Sequence, residues 1–165
     1  MPDANEDIEA CLLERDGSAR DMNFESPTWP GVWDALRELR AEFSTARVGL
    51  TSDDADSVLA DDIEAALQRV QARGGAVQIL LAGGHQLVSH LQVFVTDEAG
   101  PSPFVELTFF PQDVLQRAGL EERFVTWLRG MQRTLGATRA YARYENAAWT
   151  FGDVAFGSGV FFASE

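Results

Sequence analysis

Lysine does not occur in this 165-residue chain: all 13 basic residues are arginine, set against 26 acids, for a formal net charge of −13. An excess of that sign excludes nucleic acid and anionic membranes as partners, because both require a basic surface to displace counterions. A GC-rich genome produces the arginine bias without any function, and an acidic surface aids solubility by itself. A basic protein partner is the more specific explanation.

Cysteine is almost as scarce. The single Cys11 lies in IEACLLE, forms no internal disulfide, suits a reducing compartment, and reads as a small buried hydrophobe. The opening residues MPDANEDIE carry four acids and no basic leader, and no later run approaches the roughly 18 apolar residues of a membrane span. A cytoplasmic protein is expected, with residues 1–7 as a flexible acidic N-terminus of one α+β domain spanning 1–165.

The motifs of common chemistries are missing too. His85 and His90 are five apart, so on a strand they point to opposite faces, and no Cys-X-X-Cys or His-Glu-X-X-His pattern surrounds them. The acids between Asp53 and Glu64 lack the glycine and spacing of a calcium loop. Gly83-Gly84 and Gly157-Ser158-Gly159 have no phosphate-loop Lys, and no nucleophile elbow is present. Neither a cofactor nor a metal is expected, and no catalytic residue is assigned.

What remains is a chain with 45% hydrophobic residues, enough for one sizeable core. CLLERDGSARDMNFES reads as a β-hairpin turning at Asp16-Gly17. Val32, Trp33, Leu36, Leu39 and Phe43 follow at helical spacing, with Ser26 or Thr28 as cap. A second helix carries Leu59, Ile63, Ala66, Leu67 and Val70 and stops at Gly74-Gly75. Three strands, AVQILLAG, LVSHLQVFVTD and FVELTFF, are expected to pair antiparallel across short connections. A third helix, broken near Gly119, holds Phe124, Trp127, Leu128, Met131 and Leu135. RAYARYEN and SGVFFAS close the chain as strands. The order ββ-α-α-βββ-α-ββ predicts an α+β fold with about three helices on one face of an antiparallel sheet.

Period-2 alternation sorts the polar groups of those strands. His90 and Gln92 share a face of one strand, Glu106 and Thr108 of another, and Arg143 and Glu145 of a third. Aligned, they make one polar face. Two readings stay open: acid-base chemistry around His90, Glu106 and Arg143, or a cross-strand Arg143 pair with Glu106 or Glu145 that fixes register.

The second candidate surface is acidic. Asp53, Asp54, Asp56, Asp61, Asp62 and Glu64 gather at the start of the second helix, where they serve either as a solvated, dipole-favoured helix face or as a dock for a cationic protein. Trp29, Trp33 and Trp149 are possible anchors; Trp149, in a loop with Asp153, is the best placed.

RDGSARDMNFESPTW, FVELTFFPQDV, RYENAAW and SGVFF together resemble segments of small bacterial immunity proteins of polymorphic toxin systems. The resemblance implies a cytoplasmic protein that binds a cognate toxin, often a nuclease with a basic cleft, and blocks it without catalysis. The reading is therefore a non-enzymatic inhibitor with a basic protein partner, a toxin, and no nucleic acid or membrane. The alternatives are a small-molecule-binding or hydrolytic enzyme at the polar sheet face, and a structural homodimer subunit.

Overall fold

The computed structural model describes residues 7–51, 62–97, 100–145 and 159–164. Among the described residues four helices and seven strands follow in the order α1 (Ile8–Leu13), β1 (Arg20–Glu25), α2 (Trp29–Glu42), β2 (Thr45–Thr51), α3 (Ile63–Arg73), β3 (Gly75–Ala82), β4 (His90–Asp97), β5 (Phe104–Phe109), α4 (Leu120–Leu135), β6 (Arg139–Tyr144) and β7 (Val160–Ala163). A 3-10 turn, Pro111–Asp113, links β5 to the approach to α4.

The strands form one sheet in the order β2-β3-β4-β5-β1-β6-β7, with every pair antiparallel. β3, β4 and β5 are a meander. β1 is the exception to neighbour pairing: it lies between β5 and β6, with Asp21 opposite Thr108 on one side and Arg143 on the other. One sheet face is apolar, with Met22, Phe24, Ile79, Leu81, Leu91, Val93, Leu107, Phe109 and Ala142 all buried. The buried stripes of α2 (Val32, Leu36, Leu39), α3 (Ile63, Leu67, Val70) and α4 (Phe124, Leu128, Met131, Leu135) join them in one core. Each Leu-sized side chain so buried contributes roughly 1.5–3 kcal/mol before entropy is counted.

The helix ends follow local chemistry. Thr28 caps α2, its hydroxyl accepting from the Gly31 N–H at 3.0 Å, and Pro30 stands in the first turn, where its missing N–H costs nothing. Asp62 caps α3 through the Ala65 N–H at 3.0 Å, and Gly74 ends it with a φ of 81°, a conformation that L side chains rarely adopt.

The α+β class, the antiparallel sheet and the helices packed on it agree with expectation. The element order differs in two places. The first arm of the expected hairpin is the helix α1, capped by Asp7, whose carboxylate accepts from the Ala10 N–H at 3.2 Å. Six residues of mostly apolar sequence carry too little periodicity to separate helix from strand. β2 was not expected at all: it is an edge strand interrupted by Gly49, and it owes its extended form to pairing with β3. The third helix also begins later than expected, at Leu120 and not before Gly119, which has a φ of 62°. Asp7, expected in a flexible terminus, is the cap of α1; residues 1–6 lie outside the described residues.

Candidate functional site

On the sheet face opposite the core, β1 supplies Asp21 and Asn23, β5 supplies Glu106 and Thr108, and β6 supplies Arg143. The Arg143 guanidinium organises them. Its Nε donates to Asn23 Oδ1 at 2.8 Å, and its Nη2 stands 3.3 Å from both Asp21 Oδ2 and Glu106 Oε2. Asn23 Nδ2 donates to Glu106 Oε2 at 2.8 Å, and the Thr108 hydroxyl donates to Asp21 Oδ1 at 2.8 Å. Next to this network Gln78 Nε2 donates to Gln92 Oε1 at 2.8 Å.

Two carboxylates thus share one cation in a poorly hydrated place. Asp21 is 4% exposed, and burial, reinforced by the nearby Glu106 charge, pushes its carboxyl up to about 6 despite the Thr108 bond and the Arg143 charge. A carboxyl held near neutrality has the acidity of a general acid or base. Its geometry favours structure: each partner is engaged by another, and almost none of Asp21 is open to a reactant.

Asp21 also sets a pH dependence. Its folded-state value lies above its ordinary one, so the stability gained by protonation is fully present below about 3.8 and is lost as pH rises through about 6. His85 works in the opposite sense, because burial pulls its ring below the usual histidine value, so its contribution is lost as pH falls. The difference between parent and Asp21→Asn isolates the first effect. At pH 8 the variant is expected to be the more stable, by at most about 3 kcal/mol; at pH 5 about half of that gap has closed, and it closes fully only below about 3.8. Urea unfolding at both pH values measures this; a constant offset would show that Asp21 does not titrate in that window.

The remaining residues of the expected polar face are less closely joined. Gln92 lies opposite Thr108, as alternation required. His90 has a side chain 67% exposed at the first position of β4, and its Nδ1 faces the Ser89 hydroxyl at 2.9 Å and Asp113 Oδ1 at 3.3 Å, with no bond to Glu106 or Arg143. Glu145 fastens the end of β6 to β1, its Oε2 accepting from the Ala19 N–H at 2.9 Å. Of the two pairings expected for Arg143, the one with Glu106 forms, and it reaches across β1. Asp21 and Asn23 were missed. The alternation of Met22 and Phe24 with Asp21 and Asn23 was the available signal. His85 is not on a strand but in the β3–β4 loop, so the expected opposition of His85 and His90 across one strand does not arise.

Of the acidic candidates, Asp62 is the α3 cap, and Glu64 pairs with Arg40 of α2 at 3.3 Å. Asp53, Asp54, Asp56, Asp61, Trp149 and Asp153 lie outside the described residues. Trp29 and Trp33 are partly buried against the core, and Trp33 Nε1 donates to Gln71 Oε1 at 2.8 Å.

Fold and site define an α+β protein in which helices cover one face of a seven-stranded antiparallel sheet and a buried ionic network ties the strands of the other. Among solved structures, the chain is similar to a chain of the 1.75 Å crystal structure of the toxic C-terminal tip of CdiA from Pseudomonas aeruginosa in complex with immune protein. The match has a TM-score of 0.64 and 16% identity, and covers 88% of this chain and 94% of that one. It shows a shared fold. No protein-family model and no curated protein matches the sequence. No helix among the described residues is long and apolar enough to cross a membrane.

Proposed function

We propose that this chain is a non-enzymatic, immunity-type protein that binds and neutralises a protein toxin. The carrying observation is the fold it shares, over most of both chains, with a chain of a toxin–immune-protein complex. Charge selects between the two roles in such a complex. A net charge of −13 suits the partner that covers a basic surface, and opposite charge accelerates association. The segment around Asp53, Asp54, Asp56 and Asp61, with Trp149 and Asp153, belongs to this proposal as the docking surface. Enzymatic use of the face around Glu106 and Arg143 has less support, because those groups satisfy one another.

An inhibitor protects only a cell that also holds its gene, so the toxin is sought in the neighbouring genes. Each neighbour is expressed in a heterologous host with and without this chain. One neighbour is expected to arrest growth alone, to be silenced by co-expression, and to co-purify with this chain at one-to-one stoichiometry. The association rate of that pair should fall steeply as salt rises from about 50 to about 300 mM. Neighbours that are harmless, or that still arrest growth when bound, would overturn the proposal.

A further inference from the structure

A cleft of about 780 Å³ opens between the C-terminal end of α2, the β3–β4 loop and the first two turns of α4. Glu42, the last residue of α2, stands on its rim. The carbonyl end of a helix carries partial negative charge, so a carboxylate there is opposed by its own helix.

A neutral histidine holds that carboxylate. The His85 ring stacks flat on Phe43, with centroids 4.6 Å apart, and meets Trp127 edge-on at 5.6 Å. Its Nδ1 accepts the Leu87 N–H at 3.1 Å, which puts the ring proton on Nε2, 2.7 Å from Glu42 Oε2. Burial outweighs the Glu42 charge and lowers the affinity of the ring for a second proton. The imidazole therefore orients Glu42 without cancelling its charge. Among the described residues no hydrogen bond reaches Glu42 Oε1.

Across the cleft stands Glu122, in the first turn of α4 and without a partner among the described residues. Arg123 lines the same cleft, and each of its three nitrogens donates to a backbone carbonyl: Nε to Ala118 O at 3.2 Å, Nη1 to Gln86 O at 3.3 Å and Nη2 to Gln116 O at 2.8 Å. Two carboxylates and one guanidinium leave the cleft with one negative charge in excess. Trp127 forms an aromatic wall, and its buried indole N–H lacks an acceptor among the described residues.

We propose that this cleft receives an arginine side chain of the protein partner, an assignment that rests on the immunity reading for its biological occupant. A guanidinium stacks on an aromatic wall and bonds a carboxylate with two parallel N–H groups, while a lysine ammonium presents only a point charge. Glu42 is held for the first contact and Glu122 supplies the second.

The test uses N-acetyl-arginine amide, with N-acetyl-citrulline amide as its uncharged isostere, titrated into the full chain at low salt. NMR signals of the Trp127 indole and the His85 ring report occupancy. Saturable shifts at millimolar arginine probe are expected, with none from the citrulline probe, and the Glu42→Gln, Glu122→Gln double variant should weaken binding at least tenfold. The side-chain amide introduced by Glu42→Gln retains an acceptor for His85, and a thermal midpoint equal to that of the parent confirms the fold of the variant. Equal shifts from both probes, shifts confined to other residues, or an unchanged constant in the variant would overturn the assignment. A probe that binds while no toxin is neutralised upholds the cleft and removes the immunity reading. Neutralisation without probe binding removes the cleft alone.

Discussion

Replacing Arg20 by methionine is expected to lower the thermal midpoint by about 10 °C. Arg20 is wholly buried, with 0% exposure. Its Nε donates to Cys11 O at 2.7 Å, Nη2 to Glu14 O at 2.7 Å, and Nη1 to Ser18 O at 3.0 Å. The first two carbonyls belong to the end of α1, where no further turn supplies a donor. The guanidinium carbon also lies 4.1 Å from the centroid of the Tyr144 ring, whose hydroxyl donates to Glu14 Oε2 at 2.7 Å. Methionine fills similar space but leaves several buried carbonyls without a donor, at roughly 1–3 kcal/mol each. A total of about 3–5 kcal/mol, at about 2–4 °C per kcal/mol for a chain of this size, yields the expected fall. Arg20→Lys restores the charge but not the fork and should lie between the two. A midpoint for Arg20→Met within about 2 °C of the parent would mean that α1 is not held through this residue.

Gly31→Ala is expected to cost nearly as much for the opposite reason, excess volume. Gly31 lies in the first turn of α2, where the backbone of Leu135 at the end of α4 passes directly over it. A methyl group there would meet the Leu135 carbonyl well inside contact distance and stand 2.7 Å from its Cα. Backbone cannot swing aside as a side chain can. The two helices would have to separate, breaking the Thr28 N–H bond to Leu135 O at 2.9 Å and loosening the core between them. Overpacking of this kind costs about 1–3 kcal/mol or more, whereas alanine in an unobstructed helix would stabilise it by up to about 1 kcal/mol. The sign of the change in calorimetric midpoint therefore reads the closeness of α2 to α4 directly. Alanine at Gly130, which has nothing within 4 Å of its missing Cβ, is the matched control and should be neutral or stabilising.

Both positions bear on the proposed function. The cleft facing Glu42 is bounded by α2 and α4, so their spacing positions Glu42 relative to Glu122. Arg20 anchors α1 to β1, and β1 carries Asp21 and Asn23 to Arg143.

Much of this protein follows from sequence alone. Alternation in β4 and β5 put His90 and Gln92, and Glu106 and Thr108, on the polar face, because a pleated strand turns successive side chains to opposite sides, and the intervening Val105, Leu107 and Phe109 are buried in the core. Helical spacing located the buried stripes of α2, α3 and α4, and Ser26 or Thr28 announced the start of α2 through capping chemistry confined to neighbouring residues, Thr28 being the one that caps it. These are short-range effects, written in adjacent side chains. The tertiary structure decided what depends on partners distant in the chain. IEACLL is helical because Asp7 caps it and Arg20 closes its other end, and β2 is a strand because β3 lies beside it. The insertion of β1 between β5 and β6 brings Asp21 to Arg143 from far along the chain, and the approach of α2, α4 and the β3–β4 loop puts Glu42, His85 and Glu122 around one cleft. No local pattern encodes such a meeting. It is selected by the burial of the whole apolar face, so the polar groups that function depends on are positioned by the core behind them.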